Sequence, residues 1–140
     1  MRDLLNNIAP KVAIPPVVVT DNTAQVGSVI DVAGFDSLTF VILTGVLADA
    51  DATFEVLVEE GDVANLSDAT AVADRDLIGS EALASFTFAA DGATRKVGYK
   101  GGKRFVRLTV TPSGNAGNAP MAALAVLGHP KSAPTSNPPI

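Results

Sequence analysis

Cysteine and tryptophan are absent from the 140 residues, and histidine and tyrosine occur once each. Without Cys there is no disulfide framework, no thiolate metal site and no Cys nucleophile. A single His leaves a zinc site short of ligands. The missing Trp removes the usual aromatic platform of sugar-binding and sugar-cleaving sites. No G-x-S-x-G elbow and no G-x-x-x-x-G-K-[ST] phosphate loop occurs. Long apolar runs are missing too: the best stretch, Leu38 to Leu47, is cut by Thr44 and Gly45, well short of the roughly 18 residues that span a bilayer. Near the start, Asn6 and Asn7 interrupt Leu4, Leu5 and Ile8, so no secretory signal is expected. These absences predict a soluble protein made in a cytoplasm, with no membrane contact.

Charge of one sign is also missing from long stretches. From Asp31 to Asp91 stand 13 acidic residues and one base, Arg75, whereas Ala93 to Lys131 holds seven Lys or Arg and no acid. Such sorting predicts two oppositely charged surfaces on one domain, suited to copies of the chain meeting side to side. The net charge of -5 argues against general nucleic-acid binding, which needs a basic face.

What is present is a chain 47% hydrophobic, rich in Ala, Val, Leu and Ile with six Phe, long enough for one domain with a sizeable core. From Ser37 onward, short β-favouring runs recur between Gly, Asp, Asn and Pro. Residues 37–44 are apolar at successive positions from Phe40 to Leu43, which predicts a central strand covered on both faces. Residues 53–60 alternate, with Phe54, Val56 and Val58 on one face and Glu55, Leu57 and Glu59 on the other. Ser85 to Phe88, with both Phe inward, is expected to form a hairpin with Arg95 to Lys100 across Asp91-Gly92. After Gly101-Gly102, residues 103–111 place Val106, Leu108 and Val110 inward and Phe105, Arg107 and Thr109 outward. Met121 to Leu127 is a last strand, and runs near 17–20 and 26–32 bring the total to seven or eight. The expected fold is all-β, an antiparallel β-sandwich or jelly-roll-like single domain over residues 17–129. Residues 1–16, an extended arm with Leu4, Leu5, Ile8, Val12 and Ile14 able to order on a neighbour, precede it. A Pro-rich tail, 130–140, follows.

Chemistry-bearing residues are few. The one His, His129, ends the last strand; catalysis there needs a Ser or a carboxylate brought to it by the fold, and the bland reading is a solvent-facing strand end. Asp49, Asp51, Asp68, Asp74 and Asp76 match no EF-hand spacing and read as solvated acidic loops. No cofactor is expected. The densest patch is Arg95, Lys96, Lys100, Lys103, Arg104 and Arg107, either an edge hairpin guarded by charge or an interface for acidic protein surface with Tyr99 and Phe105 as anchors.

The run Gly98-Tyr99-Lys100-Gly101-Gly102-Lys103-Arg104-Phe105-Val106-Arg107-Leu108, the close Asn118-Ala119-Pro120 with Ala125-Val126-Leu127-Gly128-His129-Pro130, and Gly34-Phe35-Asp36-Ser37-Leu38-Thr39-Phe40 resemble small proteins encoded among the virion genes of tailed bacteriophages and prophages. The resemblance spans most of residues 30–130. Within that group the chain is similar to capsid decoration or cement proteins, which bind a head shell and bridge neighbouring subunits. It implies a non-enzymatic virion protein on the capsid surface, made in the bacterial cytoplasm, with the major capsid protein and its own copies as partners, a trimer being favoured. The alternative function is a receptor- or carbohydrate-binding module of a phage tail or fibre, which calls for an exposed aromatic platform or a cation site.

Overall fold

A computed structural model describes residues 2–139 of the chain. Eleven strands follow in chain order among the described residues: β1 (Ile8–Val19), β2 (Gln25–Val26), β3 (Ile30–Asp31), β4 (Phe35–Thr44), β5 (Thr53–Gly61), β6 (Thr70–Ala71), β7 (Leu77–Ile78), β8 (Phe86–Thr87), β9 (Thr94–Tyr99), β10 (Phe105–Ser113) and β11 (Ala119–Pro130). Helix among the described residues is limited to two 3₁₀ turns, Leu5–Asn7 and Asp74–Asp76, and one short α-helix, α1 (Glu81–Ala84), none long and apolar enough to cross a membrane. Two antiparallel sheets pack face to face as a β-sandwich. Sheet A has the order β1-β11-β4-β9-β7, and sheet B the order β2-β10-β5-β6, with β3 also on β10 and β8 also on β5.

Between the sheets lie the inward residues of each alternation: Leu38, Phe40 and Ile42 of β4 and Ala123, Ala125 and Leu127 of β11 from sheet A, Phe54, Val56 and Val58 of β5 and Val106, Leu108 and Val110 of β10 from sheet B. Phe54 stacks on Phe86, ring centroids 4.8 Å apart. Small branched side chains otherwise fill the space, which keeps the two backbones close.

From β4 to β11 the chain shuttles between sheets, and this overturns the expected hairpin. Phe86 and Thr87 pair with β5 in sheet B, while β9 pairs with β4 in sheet A. A turn closed by Ala90 N–H donating to Thr87 O redirects the chain, so Phe86 is buried but Phe88 is exposed. The link from β9 to β10 crosses in the same way, and β10 lies inside sheet B between β5 and the β2 and β3 segments, not at an edge.

The expected arm of residues 1–16 is corrected as well, because Ile8 onward is strand β1, paired along its length with β11. Burial of Ala9, Ala13, Ile14 and Val19 holds it there, and Pro10, Pro15 and Pro16 are tolerated because β1 is an edge strand whose outer N–H groups need no partner. Register shifts flank Ile14. The tail is tied back rather than free: Thr135 N–H donates to Asn6 O at 3.0 Å and its hydroxyl to Ile8 O at 2.6 Å.

Both open sides of the sandwich are closed. Gly27 N–H donates to Leu108 O and Ser28 N–H to Ala13 O, each at 2.8 Å, so the β2–β3 segment bridges sheet B to β1. A Cβ at Gly27 would collide with both carbonyl oxygens, so this close approach requires glycine. Opposite, α1 lies along β5: Glu81 Oε1 accepts from Val58 N–H and Ser85 Oγ from Val56 N–H, satisfying strand donors that neither β6 nor β8 reaches.

Candidate interaction face

The two charge blocks of the sequence meet inside one sheet. β5 and β10 are neighbours in sheet B, with Arg107 directly opposite Glu59, and the Arg107 guanidinium donates to the Glu59 carboxylate at 3.0 Å. Arg104 clamps Asp31 of β3 with two bonds, 2.9 and 2.8 Å, while its guanidinium carbon lies 5.1 Å from the Phe105 ring centroid. Lys103 Nζ reaches Asp62 at 2.6 Å. The Arg104 hydrogen bonds hold the Asp31 carboxyl below the ordinary 3.8. These three cations of the basic block are engaged within the chain by acids of the other block.

The rest of the basic group lies elsewhere. Arg95, Lys96 and Lys100 stand on or just beyond β9 of sheet A, where Arg95 donates to Leu83 O at 3.2 Å and Lys96 and Lys100 are exposed. Two expected contact residues are corrected outright. Tyr99 is 4% exposed, and its hydroxyl donates to Glu60 Oε2 at 2.5 Å and accepts from Lys103 N–H at 3.0 Å. Burial first, and the bond to Glu60 second, raise its pKa far above the ordinary 10.0. Ile14 is buried against the core because the β1 register turns it inward. Leu4, Leu5 and Val12 are exposed, and Ile8 and Phe105 are half-buried.

A different surface emerges that periodicity alone misassigned. β4 is central in sheet A, yet among the described residues no element packs over its outer side, where Leu43 is 54% exposed and Thr39 and Val41 are half-buried. Cross-strand partners share a face, so register groups the outer residues into rows. Val12, Leu124, Val41 and Lys96 form one row; Pro10, Val126, Thr39, Gly98 and Ile78 a second; Ala122, Leu43 and Thr94 a third. Val12, Leu124 and Ile78 are 52%, 44% and 60% exposed. Lys96 is the one charge in these rows. From Pro120 to Gly128 at about 3.4 Å per residue, and across five strands at about 4.8 Å spacing, the face measures roughly 27 by 19 Å. Its projected area, about 500 Å², is of the order of one side of a protein interface, about 800 Å². A face of this size matches the largest apolar patch of an ordinary folded domain, about 300–600 Å², and such patches are often functional. The sequence signal for it is the lack of any Asp, Glu, Lys or Arg from Ser37 to Ala48 and from Leu108 to Pro130.

At one end of this face lies a groove of about 640 Å³, lined by Leu4, Ile8, Val126, Asp36, Ser37 and His129 among others. The fold does bring a Ser to the single His: Ser37 Oγ and His129 Nδ1 are 2.9 Å apart. His129 sits at φ 49°, a left-handed conformation that costs a non-glycine residue, and a Cβ on Gly128 would come 2.7 Å from the Ser37 oxygen. This pair was invisible in the sequence because 92 positions separate its members. The acidic loops organise backbone: Asp49 accepts from Asp51 and Ala116 N–H groups and Asp68 from Asp62 and Val63 N–H groups, which holds both carboxyls below the ordinary 3.8. Among the described residues no three metal-ligating side chains converge. No protein-family model matches this chain, and no curated protein matches it.

Proposed function

We propose that the chain is a non-enzymatic structural protein of a tailed-phage virion, a capsid decoration or cement protein that docks on major capsid subunits through the outer face of sheet A. The observation that carries this reading is the five-stranded face with a single charge, Lys96, on a domain whose other charges are largely paired in sheet B or solvated in loops. A rigid sandwich with closed sides adds little ordering cost to such a contact, so apolar burial at about 25 cal/mol per Å² has mainly the translational and rotational cost of association to offset. The resemblance of its sequence motifs to virion proteins supports a virion surface as the partner, and the head shell is the one this reading takes. Self-association as a trimer, part of the same proposal, then draws on apolar rather than charged surface and changes little with salt.

Leu124→Asp is the direct test, since it places a charge at the centre of the face and leaves the core untouched. The wild-type chain should co-sediment with shells that lack it at a fixed stoichiometry, and the variant should stay in the supernatant while retaining the wild-type melting temperature. Full attachment by the folded variant would sink the reading.

A further inference from the structure

Lys96 is the one charged residue in the outer rows of sheet A, at the end of the row Val12, Leu124, Val41 and Lys96. Other members of the basic patch are held within the chain: Lys103, Arg104 and Arg107 by Asp62, Asp31 and Glu59, and Arg95 by Leu83 O. Lys96 is exposed and makes no ion pair among the described residues. The β7 pairing reaches only Tyr99 and Gly98 of β9, so it stops short of Lys96. A free cation therefore stands on an apolar face, with no acid in the rows around it.

We propose that the protein covering sheet A presents an apolar patch with one Asp or Glu opposite Lys96, and that this pair fixes the register of docking. The proposal rests on the docking role of sheet A. Covering an ammonium with apolar surface costs free energy unless a carboxylate accompanies it. With the acid in place, the contact keeps the burial of the four-carbon stem and gains a charge-assisted hydrogen bond. A shifted register leaves both charges against apolar surface. One pair thus discriminates among placements that apolar contact alone makes nearly equal. The same face of a second copy cannot be the partner, because it brings another Lys96 and no carboxylate.

Attachment to shells that lack the protein tests this with Lys96→Met, which keeps the apolar stem and removes the charge. In dilute sodium chloride the variant should attach about two- to fivefold more weakly than wild type, the ratio expected of one exposed ion pair, with its melting temperature unchanged. Lys96→Arg should attach like wild type. Raising the salt should bring wild type down to the level of Lys96→Met and leave that variant where it was. An ammonium that only bends past the rim into water gives the opposite sign: Lys96→Met attaches as well as wild type or better. That result overturns the proposal, and so does self-association of the free protein that Lys96→Met abolishes, which would put a second copy's loop acids opposite Lys96. Leu124→Asp separates the two readings. Attachment lost in Leu124→Asp but undiminished in Lys96→Met overturns the acidic partner and leaves the docking face standing, whereas full attachment by Leu124→Asp overturns the face and the pair with it.

Discussion

Tyr99 and Glu60 belong to different sheets, and the bond between them fastens β9 of sheet A to β5 of sheet B at one end of the sandwich. Replacing Tyr99 by Phe deprives both Glu60 and Lys103 N–H of a partner. A hydrogen bond to a charged group contributes about 1.5–3 kcal/mol, so Tyr99→Phe should lower unfolding free energy by that order in urea melts. The same site sets an alkaline limit. Because the phenol is raised above 10.0 in the folded chain, the unfolded chain gives up this proton first, and stability should fall as pH rises beyond about 10. Tyr99→Phe should remove much of that slope. At the acid end the sign is opposite: Asp31, Asp49 and Asp68 are held below 3.8, so the unfolded chain binds more protons there. Stability should be complete above about pH 5 and fall as pH drops through about 4 and below, measured by melting temperature across a pH series.

At the element scale, β10 is the strand whose neighbours matter most. Its inward residues Val106, Leu108 and Val110 were legible from alternation, because facing is a local property of period two. Its neighbours were not, because pairing with β5 joins residues some fifty positions apart, and nothing local distinguishes that pairing from a hairpin with β9. The consequence is energetic. A double-mutant cycle on Arg107 and Glu59, both only 20% exposed at the side chain, should give a favourable coupling of about 0.5–1 kcal/mol. Lys96 paired with the same Glu59 in a control cycle should give none, since it lies on the other sheet. β1 makes a parallel case. Its prolines and apolar residues were read as an arm that orders on a neighbour, yet the neighbour is β11 of the same chain. Deleting residues 1–16 takes the buried Ile14 and Ala13 from the core and uncovers β11, so it should cost more than about 3 kcal/mol. Deleting residues 1–7 removes no strand, and its circular dichroism should match that of the intact chain.

For the whole molecule, the division of labour runs between sheets. Sheet B carries the paired charges and sheet A an outer surface with almost none, so the domain is two-faced in polarity and not in sign. Attachment and solubility should therefore respond to different substitutions: Leu124→Asp should abolish docking and raise solubility, and Arg104→Glu should weaken the Asp31 contact while leaving docking intact. The amino acid sequence by itself determined the all-β class, the inward residues of β5 and β10, and the absence of Cys and of the nucleophile and phosphate-loop motifs, since composition and period-two alternation are written locally along the chain. Only the tertiary structure decided that Asp31, Glu59 and Asp62 of the acidic block pair with Arg104, Arg107 and Lys103 of the basic one, that β1 is strand, that Tyr99 is buried, and that Ser37 stands beside His129. Each of these depends on which distant strands become neighbours, and that is settled by how two apolar faces pack together rather than by any residue's local preference.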